Sequence, residues 1–222
     1  MLTIVATVGP LAAASANNIA QSQTPGAAGA LTLNGTTVVG GIAYLDTARR
    51  ILITTADTTH VFTVTGTTPT GAVITETVGP ITTSAYTTQD FATVASVKIN
   101  GGATAAVTVG TNGVASTPWV RIDEWATPQV DIQCDVTGTV NYTVQSSQDD
   151  PNSPTNPVLP QNMFWANSPD TNAVGATASV QTGYGTLLAY ASLISGGFVR
   201  ATLNSGTGSV SMTVTQPGAV PY

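Results

Sequence analysis

Along most of this chain apolar and polar residues alternate one by one, the period of a strand with one buried and one wet face. The clearest stretch is residues 130–150. Val130, Ile132, Cys134 and Val136 alternate with Asp131, Gln133 and Asp135, and after Thr137-Gly138 the pattern resumes with Val140, Tyr142 and Val144 against Asn141, Thr143 and Gln145. This predicts a β-hairpin. Upstream, strands are expected over 30–33, 38–45, 50–55, 61–65, 73–78, 92–99 and 105–109, separated by Asn34-Gly35, Gly66, Gly71, Gly79-Pro80, Asn100-Gly101-Gly102 and Asn112-Gly113. Downstream, residues 117–123 put Val120 and Ile122 on one face and Trp119, Arg121 and Asp123 on the other, and strands follow over 176–182, 187–193, 198–203 and 210–215. Short strands at this spacing mark a sandwich or barrel.

Two segments break the pattern. Residues 1–29 have no sustained period and contain Gly9-Pro10, Asn17-Asn18 and Pro25-Gly26, so they read as an extended arm that lies along its own domain or reaches a neighbouring subunit. Residues 150–160 are too rich in Pro and Asn for a sheet, and such a loop is often the working surface of a β scaffold. The texture also shifts near Gly113, with the first tryptophans, Trp119 and Trp125, just beyond it. The expected organisation is all-β: an extended N-terminal arm over 1–29, then two small β-sandwich or barrel-like domains over 30–113 and 114–222.

Composition agrees with this and narrows the partners. Of 222 residues, 42% are hydrophobic and 7% charged, and Thr, Val, Ala, Gly and Ser are abundant. Thr and Val favour a pleated, half-buried surface, whereas long helices call for more Glu, Lys, Arg and Leu. The net charge of −6 repels nucleic-acid phosphate and anionic membranes, so neither is an expected partner. No apolar run approaches the roughly 20 residues of a membrane helix. The opening residues imitate a secretory signal up to Ala13-Ala14-Ser15-Ala16 but lack a basic start, the first Arg being Arg49, so assembly in a reducing cytoplasm is expected. Cys134 is the only cysteine and falls on the apolar side of its strand, where a thiol serves as a small hydrophobe.

Candidate chemistry is sparse. His60, the only histidine, begins a strand with no nucleophile or acid assigned to it, and a strand-end role is expected. Asp123-Glu124 and Asp149-Asp150 are adjacent in sequence, and neighbours on a strand face opposite ways, unlike the opposed carboxylates of a glycosidase. Asp149-Asp150 before Pro151 reads instead as an Asx-type turn. The acidic loop over 148–156, with Asn152 and Asn156, offers oxygen atoms to a cation, but its spacing matches no calcium loop. No catalytic residue, metal ligand or cofactor is therefore assigned. The scarce aromatics Trp119, Trp125, Phe164 and Trp165 suit a core, an interface or stacking on sugar rings, and Arg121 and Arg200 suit an interface or pairing with scattered acids.

Residues 62–110 resemble a pattern common in virion structural proteins of tailed bacteriophages. The matching positions are Phe62–Gly66, Gly71, Thr75–Thr77, Gly79-Pro80, Phe91–Ser96 and the closing Val107–Gly110. The second half is similar too, in GTVNYTVQSSQDDP at Gly138–Pro151, in Phe164-Trp165 and in a terminal strand ending at Gln216. The resemblance implies a virion component. A small, weakly charged two-domain β chain with an extended arm and without long repeats suits a capsid decoration, or cement, protein that bridges neighbouring capsomers, with the arm and the 150–160 loop as candidate contacts. Its partners would be the major capsid protein and further copies of itself, as homodimer or homotrimer, on the capsid exterior. The alternatives are a tail or baseplate accessory protein and a carbohydrate-binding surface module. Candidate interface residues are Ile4, Val5, Leu11, Asn17 and Asn18 in the arm, and Trp119, Arg121, Trp125, Asp149, Asp150, Asn152 and Trp165 beyond the boundary.

Overall fold

A computed structural model describes residues 2–122, 131–167, 174–178, 182–186 and 197–216. They are almost wholly β, in antiparallel sheets. The chain divides into two compact units, and the first is discontinuous: residues 1–11 with 114–222 form a split unit, and residues 12–113 form a unit inserted between its two parts.

In the inserted unit, one sheet runs β4 (Val38–Val39), β5 (Ile42–Arg49), β10 (Phe91–Ile99), β7 (Phe62–Thr67), β8 (Val73–Val78), with β3 (Gly29–Ala30) also on β10. The other runs β2 (Ser15–Gln23), β11 (Val107–Thr111), β6 (Ile51–Thr55), β9 (Ser84–Tyr86). Alternation decides the faces. Phe62 and Val64 of β7 point inward with Phe91, Val94 and Val97 of β10, and meet Ile19, Ile51, Ile53, Val107 and Val109 from the second sheet in one core. Full burial of Phe62 and Phe91 stabilises by roughly 2–3 kcal/mol each. The outward Thr63 and Thr65 face Thr77 and Thr75 across the β7–β8 ladder, a favourable cross-strand pairing. Gly66 is needed inside β7 because a side chain there would collide with the Thr93 carbonyl and the Phe91 ring.

The split unit also has two sheets. One runs β1 (Leu2–Val8), β20 (Ser209–Gln216), β14 (Asp131–Thr137), β18 (Thr182–Thr186). In the other, β19 (Phe198–Gly206) pairs with β15 (Val140–Ser147) and with the short β12 (Ala115–Ser116) and β13 (Val120–Arg121), while β15 also takes β16 (Ala166–Asn167) and β17 (Val174–Ala178). Ala6, Val8, Ile132, Cys134, Val136, Val210, Met212 and Val214 from the first sheet pack on Val120, Val140, Tyr142, Val144, Ala201 and Leu203 from the second.

Three expectations are corrected. The extended arm over 1–29 is not found: its residues form β1, β2 and the start of β3, and β1 and β2 belong to different units. Ile4, Ala6 and Val8 do alternate with Thr3, Val5 and Thr7, but small residues and the Gly9-Pro10 break mask so short a period. The hairpin over 130–150 is not a hairpin either. β14 pairs with β20 and β18, whereas β15 pairs with β19, β16 and β17, so Thr137-Gly138-Thr139 carries the chain from one sheet to the other. The connection from β19 to β20 makes the same crossing beside it, with Thr207 and Gly208 N–H donating to the Thr139 carbonyl. Glycine is required at this corner: Gly206 sits at φ +118°, where a side chain would also strike the Thr139 carbonyl. Finally, the strand expected over 38–45 is two strands. Gly40 and Gly41, at φ +60° and +83°, form the two-residue turn that right-twisted hairpins favour, placing Val39 opposite Ile42. The strand expected over 187–193 lies outside the described residues.

Candidate interaction site

The candidate site lies on the split unit, on the face of the β15–β19 sheet turned away from the core. Because Val199, Ala201 and Leu203 point into the core, their neighbours Phe198, Arg200 and Thr202 point the other way. On β15 the same alternation turns Gln145 outward. Gln145 Oε1 accepts from Arg200 Nε at 2.9 Å and from Thr202 Oγ1 at 3.0 Å, while its Nε2 donates to Asn167 Oδ1 at 2.9 Å. One amide thus ties three strands together.

Aromatic rings cover this polar ladder. The Trp119 and Trp165 rings stack at 5.8 Å and 21°, and Trp119 meets Phe198 at 5.7 Å. The Arg200 guanidinium lies 4.1 Å from the centre of the Trp165 ring. Arg200 is buried, and a desolvated cation over an indole contributes about 2 kcal/mol. Arg121 lies over the Phe198 ring at 6.0 Å and reaches Asp150 Oδ2 at 3.4 Å. The Arg121 side chain is half exposed, and at this length the last pair is worth little by itself.

The loop between β15 and β16 is fastened by its two aspartates. Asp149 Oδ2 accepts from the Phe164 N–H at 2.6 Å, and Asp150 Oδ1 from the Asn152 N–H at 2.7 Å. The Asp150 carbonyl takes the N–H groups of Ser153 and Val158. The Asp150–Asn152 bond is that of an Asx-type turn, as the sequence indicates, whereas Asp149 reaches across the loop to a backbone N–H 15 residues on. A 3-10 turn, Pro160–Asn162, follows, and buried Met163 anchors it. On either side of this turn the chain turns large apolar groups to water: Leu159 is 58% exposed and Phe164 74%.

The sequence candidates therefore separate. Trp119, Arg121, Asp149, Asp150, Asn152 and Trp165 come together in this cluster and its loop, whereas Trp125, with Asp123 and Glu124, lies outside the described residues. Ile4 and Leu11 are not free interface groups, because both pack on the split unit's core. Asn18 is structural as well: its Nδ2 donates to Thr111 Oγ1 and its carbonyl accepts from Thr37. Asn17 and Val5 are exposed. Gln145 and Phe198 escaped notice because nothing in their local sequence marks them.

A second polar constellation, in the inserted unit, also escaped notice. Asp57 is buried and accepts four hydrogen bonds, from the N–H groups of Thr59, His60 and Thr104 and from His60 Nδ1 at 2.8 Å. Burial alone would raise its pKa, but the bonds from Thr104, His60 and Thr59 prevail and hold it well below the ordinary carboxylate range. His60 in turn packs on Gly101, where a side chain would strike the imidazole. The spacing of Asp57 before Thr59 and His60 was the available signal, since an Asx turn needs a carboxylate two residues ahead of an N–H. In the same unit, buried Arg49 donates to the Ala12 carbonyl at 3.0 Å and to Asp46 Oδ2 at 2.8 Å, and the Ala12 N–H donates to that same oxygen. Burial lowers the Arg49 pKa and Asp46 opposes the shift. Cys134 is buried and its thiol is pushed up to about 12, by burial first and then by Asp135.

Among the described residues no three His, Cys, Asp or Glu side chains are grouped to hold a metal ion, and no helix is long and apolar enough to cross a membrane. Comparison with protein-family models and with curated proteins gave no match. In this cluster the carboxylates accept backbone N–H groups of the loop and the arginines lie over aromatic rings, while the loop offers apolar surface.

Proposed function

We propose that this chain is a structural protein of a tailed-phage virion that decorates the capsid exterior and bridges neighbouring capsomers. The observation that carries the reading is the fastened loop between β15 and β16, which holds Leu159 and Phe164 in water at fixed positions beside a packed aromatic–arginine stack. Large apolar groups on an ordered loop suit a protein partner, because little further entropy is lost on docking. The resemblance of residues 62–110 and 138–151 to virion proteins supports the virion setting, and the major capsid protein is the partner that a decoration role implies. The all-β build and low charge are compatible with it.

The mechanism is mechanical. Copies that bind the assembled lattice but not its separated subunits shift the equilibrium against disassembly by mass action. A homodimer or homotrimer would raise the effective affinity without stronger single contacts. The carbohydrate-binding alternative has less support, since the ring faces of Trp119 and Trp165 are occupied by each other, by Phe198 and by Arg200.

The test is the copy number of the chain relative to the major capsid protein in purified particles, by calibrated mass spectrometry. A ratio near one, or a simple fraction of it, is expected for lattice-wide decoration. A trace ratio would move the protein to a tail, baseplate or vertex, and complete absence would end the virion reading.

A further inference from the structure

Where glycine follows asparagine, the glycine nitrogen can attack the asparagine side-chain amide, because no Cβ on the second residue hinders the approach. The chain has three such pairs, Asn34-Gly35, Asn100-Gly101 and Asn112-Gly113. Their surroundings differ. At the first, the reacting groups are already engaged: the Gly35 N–H donates to the Ile19 carbonyl at 3.0 Å, and Asn34 Oδ1 accepts from the Gln21 N–H at 2.8 Å. At the third, nothing lies within 4 Å of where a Gly113 side chain would stand.

The second pair is flanked by the groups that an acyl transfer needs. Gly101 lies just past the end of β10, and its N–H has no acceptor among the described residues. The His60 ring packs against it, with Nε2 and Cδ2 where a side chain would stand. Asp57 Oδ2 holds the other ring nitrogen, Nδ1, at 2.8 Å. Because the ionised Asp57 carboxylate can only accept, Nδ1 carries the proton, and the neutral ring keeps Nε2 as an acceptor beside Gly101. On the electrophile, Asn100 Oδ1 accepts from the Val61 N–H at 3.0 Å, and this oxygen is where negative charge develops when Cγ is attacked. The Asn100 N–H donates to the Val61 carbonyl, so the residue is held through backbone and side chain together. Asn100 is exposed, and water reaches it.

We propose that Asn100-Gly101 is a self-modification site, at which the Gly101 nitrogen attacks Asn100 Cγ with His60 as the base and the Val61 N–H as the oxyanion donor. The N–Cγ bond forms as Nε2 takes the amide proton. The intermediate then collapses with rupture of the Cγ–Nδ2 bond, and the imidazolium returns the proton to the departing ammonia. The product is a cyclic succinimide. Water opens it at either carbonyl, leaving aspartate or, with the backbone rerouted through the side chain, isoaspartate. Water is consumed, ammonia is released, and nothing is oxidised or reduced. Isoaspartate lengthens the backbone next to the loop that Asp57 fastens through Thr104, so conversion is expected to loosen residues 100–104 as the protein ages. The inference does not depend on the virion reading.

The test uses the full chain and follows the amide-to-acid mass gain at each Asn-Gly pair by peptide mass spectrometry, with isoaspartate assigned by electron-transfer fragmentation. The parent is incubated at neutral pH, both folded and in urea. Folded structure ordinarily slows this cyclisation by holding the chain, so the diagnostic result is the reverse. Asn100 is expected to convert at least tenfold faster in the folded chain than in the unfolded one, while Asn34 converts more slowly folded than unfolded. His60→Gln, checked for an unchanged fold by circular dichroism, is expected to abolish the acceleration at Asn100; the comparison within the parent stands even where that variant does not fold. A folded rate at Asn100 no higher than the unfolded rate, or a folded His60→Gln chain that converts as fast as the parent, would each overturn the inference.

Discussion

Both units fasten loops with aspartates, and they do so to different ends. In the inserted unit Asp57 is buried and spends its oxygens on the turn at 57–60 and on the Thr104 N–H from the loop after β10. In the split unit Asp149 and Asp150 are half-buried, and the segment they fasten carries Leu159 and Phe164 into water. The same chemistry, a carboxylate accepting backbone N–H groups, closes one region and holds the other open for contact. Rigidity alone therefore does not mark a working surface. Rigidity combined with exposed apolar groups is the basis of the partner surface proposed here.

The comparison breaks most visibly at Asp57. Asp57→Ala leaves buried donors in two loops without an acceptor, and the melting transition of the inserted unit is expected to fall by on the order of 10 °C by calorimetry. Charge can be separated from shape with Asp57→Asn. Since the folded-state pKa of Asp57 lies below its unfolded value of 3.8, its ionised form contributes stability that is fully present above that value and is lost as pH falls towards the folded pKa. The melting-temperature gap between the parent and Asp57→Asn should accordingly be constant above about pH 5 and narrow below about pH 4. A gap that widens on acidification would overturn this account of the Asp57 charge.

A smaller effect is expected at the other loop. Asp149→Ala removes one charge-assisted bond to the Phe164 N–H, at a partly solvated site, and should cost about 1 kcal/mol in urea unfolding of the split unit. Its signature should be local, with faster hydrogen exchange and proteolysis over residues 148–165 and the β14 and β20 core amides still protected.

These contrasts also show what the sequence could disclose. Alternation assigned inward and outward faces well: Val120 and Ile122 are buried, as are Cys134, Val136, Val140 and Tyr142. It did not assign partners. Residues 134–144 have the same inward set whether the chain turns back within one sheet or crosses to the facing sheet, so a hairpin and a crossing look alike from the pattern. β1 was hidden because Ala6, Thr3 and Thr7 carry little hydrophobic contrast, and because its partner β20 lies at the far end of the chain. At the candidate site, Trp119, Trp165, Arg121 and Asp150 were legible through their rarity in a chain poor in aromatics and charge. Gln145 and Phe198 were not, since their role arises from which strands become neighbours. Asp57 was half legible, through its turn; its bond to Thr104 spans 47 residues and leaves no local trace.

Phe164 supplies the smallest effect on stability and the sharpest test of what the open loop is for. Its side chain is 74% exposed, so Phe164→Ala removes little buried area, and the unfolding free energy should stay within about 0.5 kcal/mol of the parent. The loop itself should persist, because Asp149 binds the backbone N–H of residue 164, which alanine retains. Binding to purified capsids lacking the protein is expected to weaken at least tenfold, as when an aromatic anchor is truncated at an interface. The two measurements together discriminate in a way neither does alone. Unchanged stability with lost binding assigns Phe164 to the partner surface, whereas lost stability would mean that the ring serves the fold. Unchanged stability with unchanged binding would move the contact elsewhere and leave the fastened loop, like the one at Asp57, an element of structure alone.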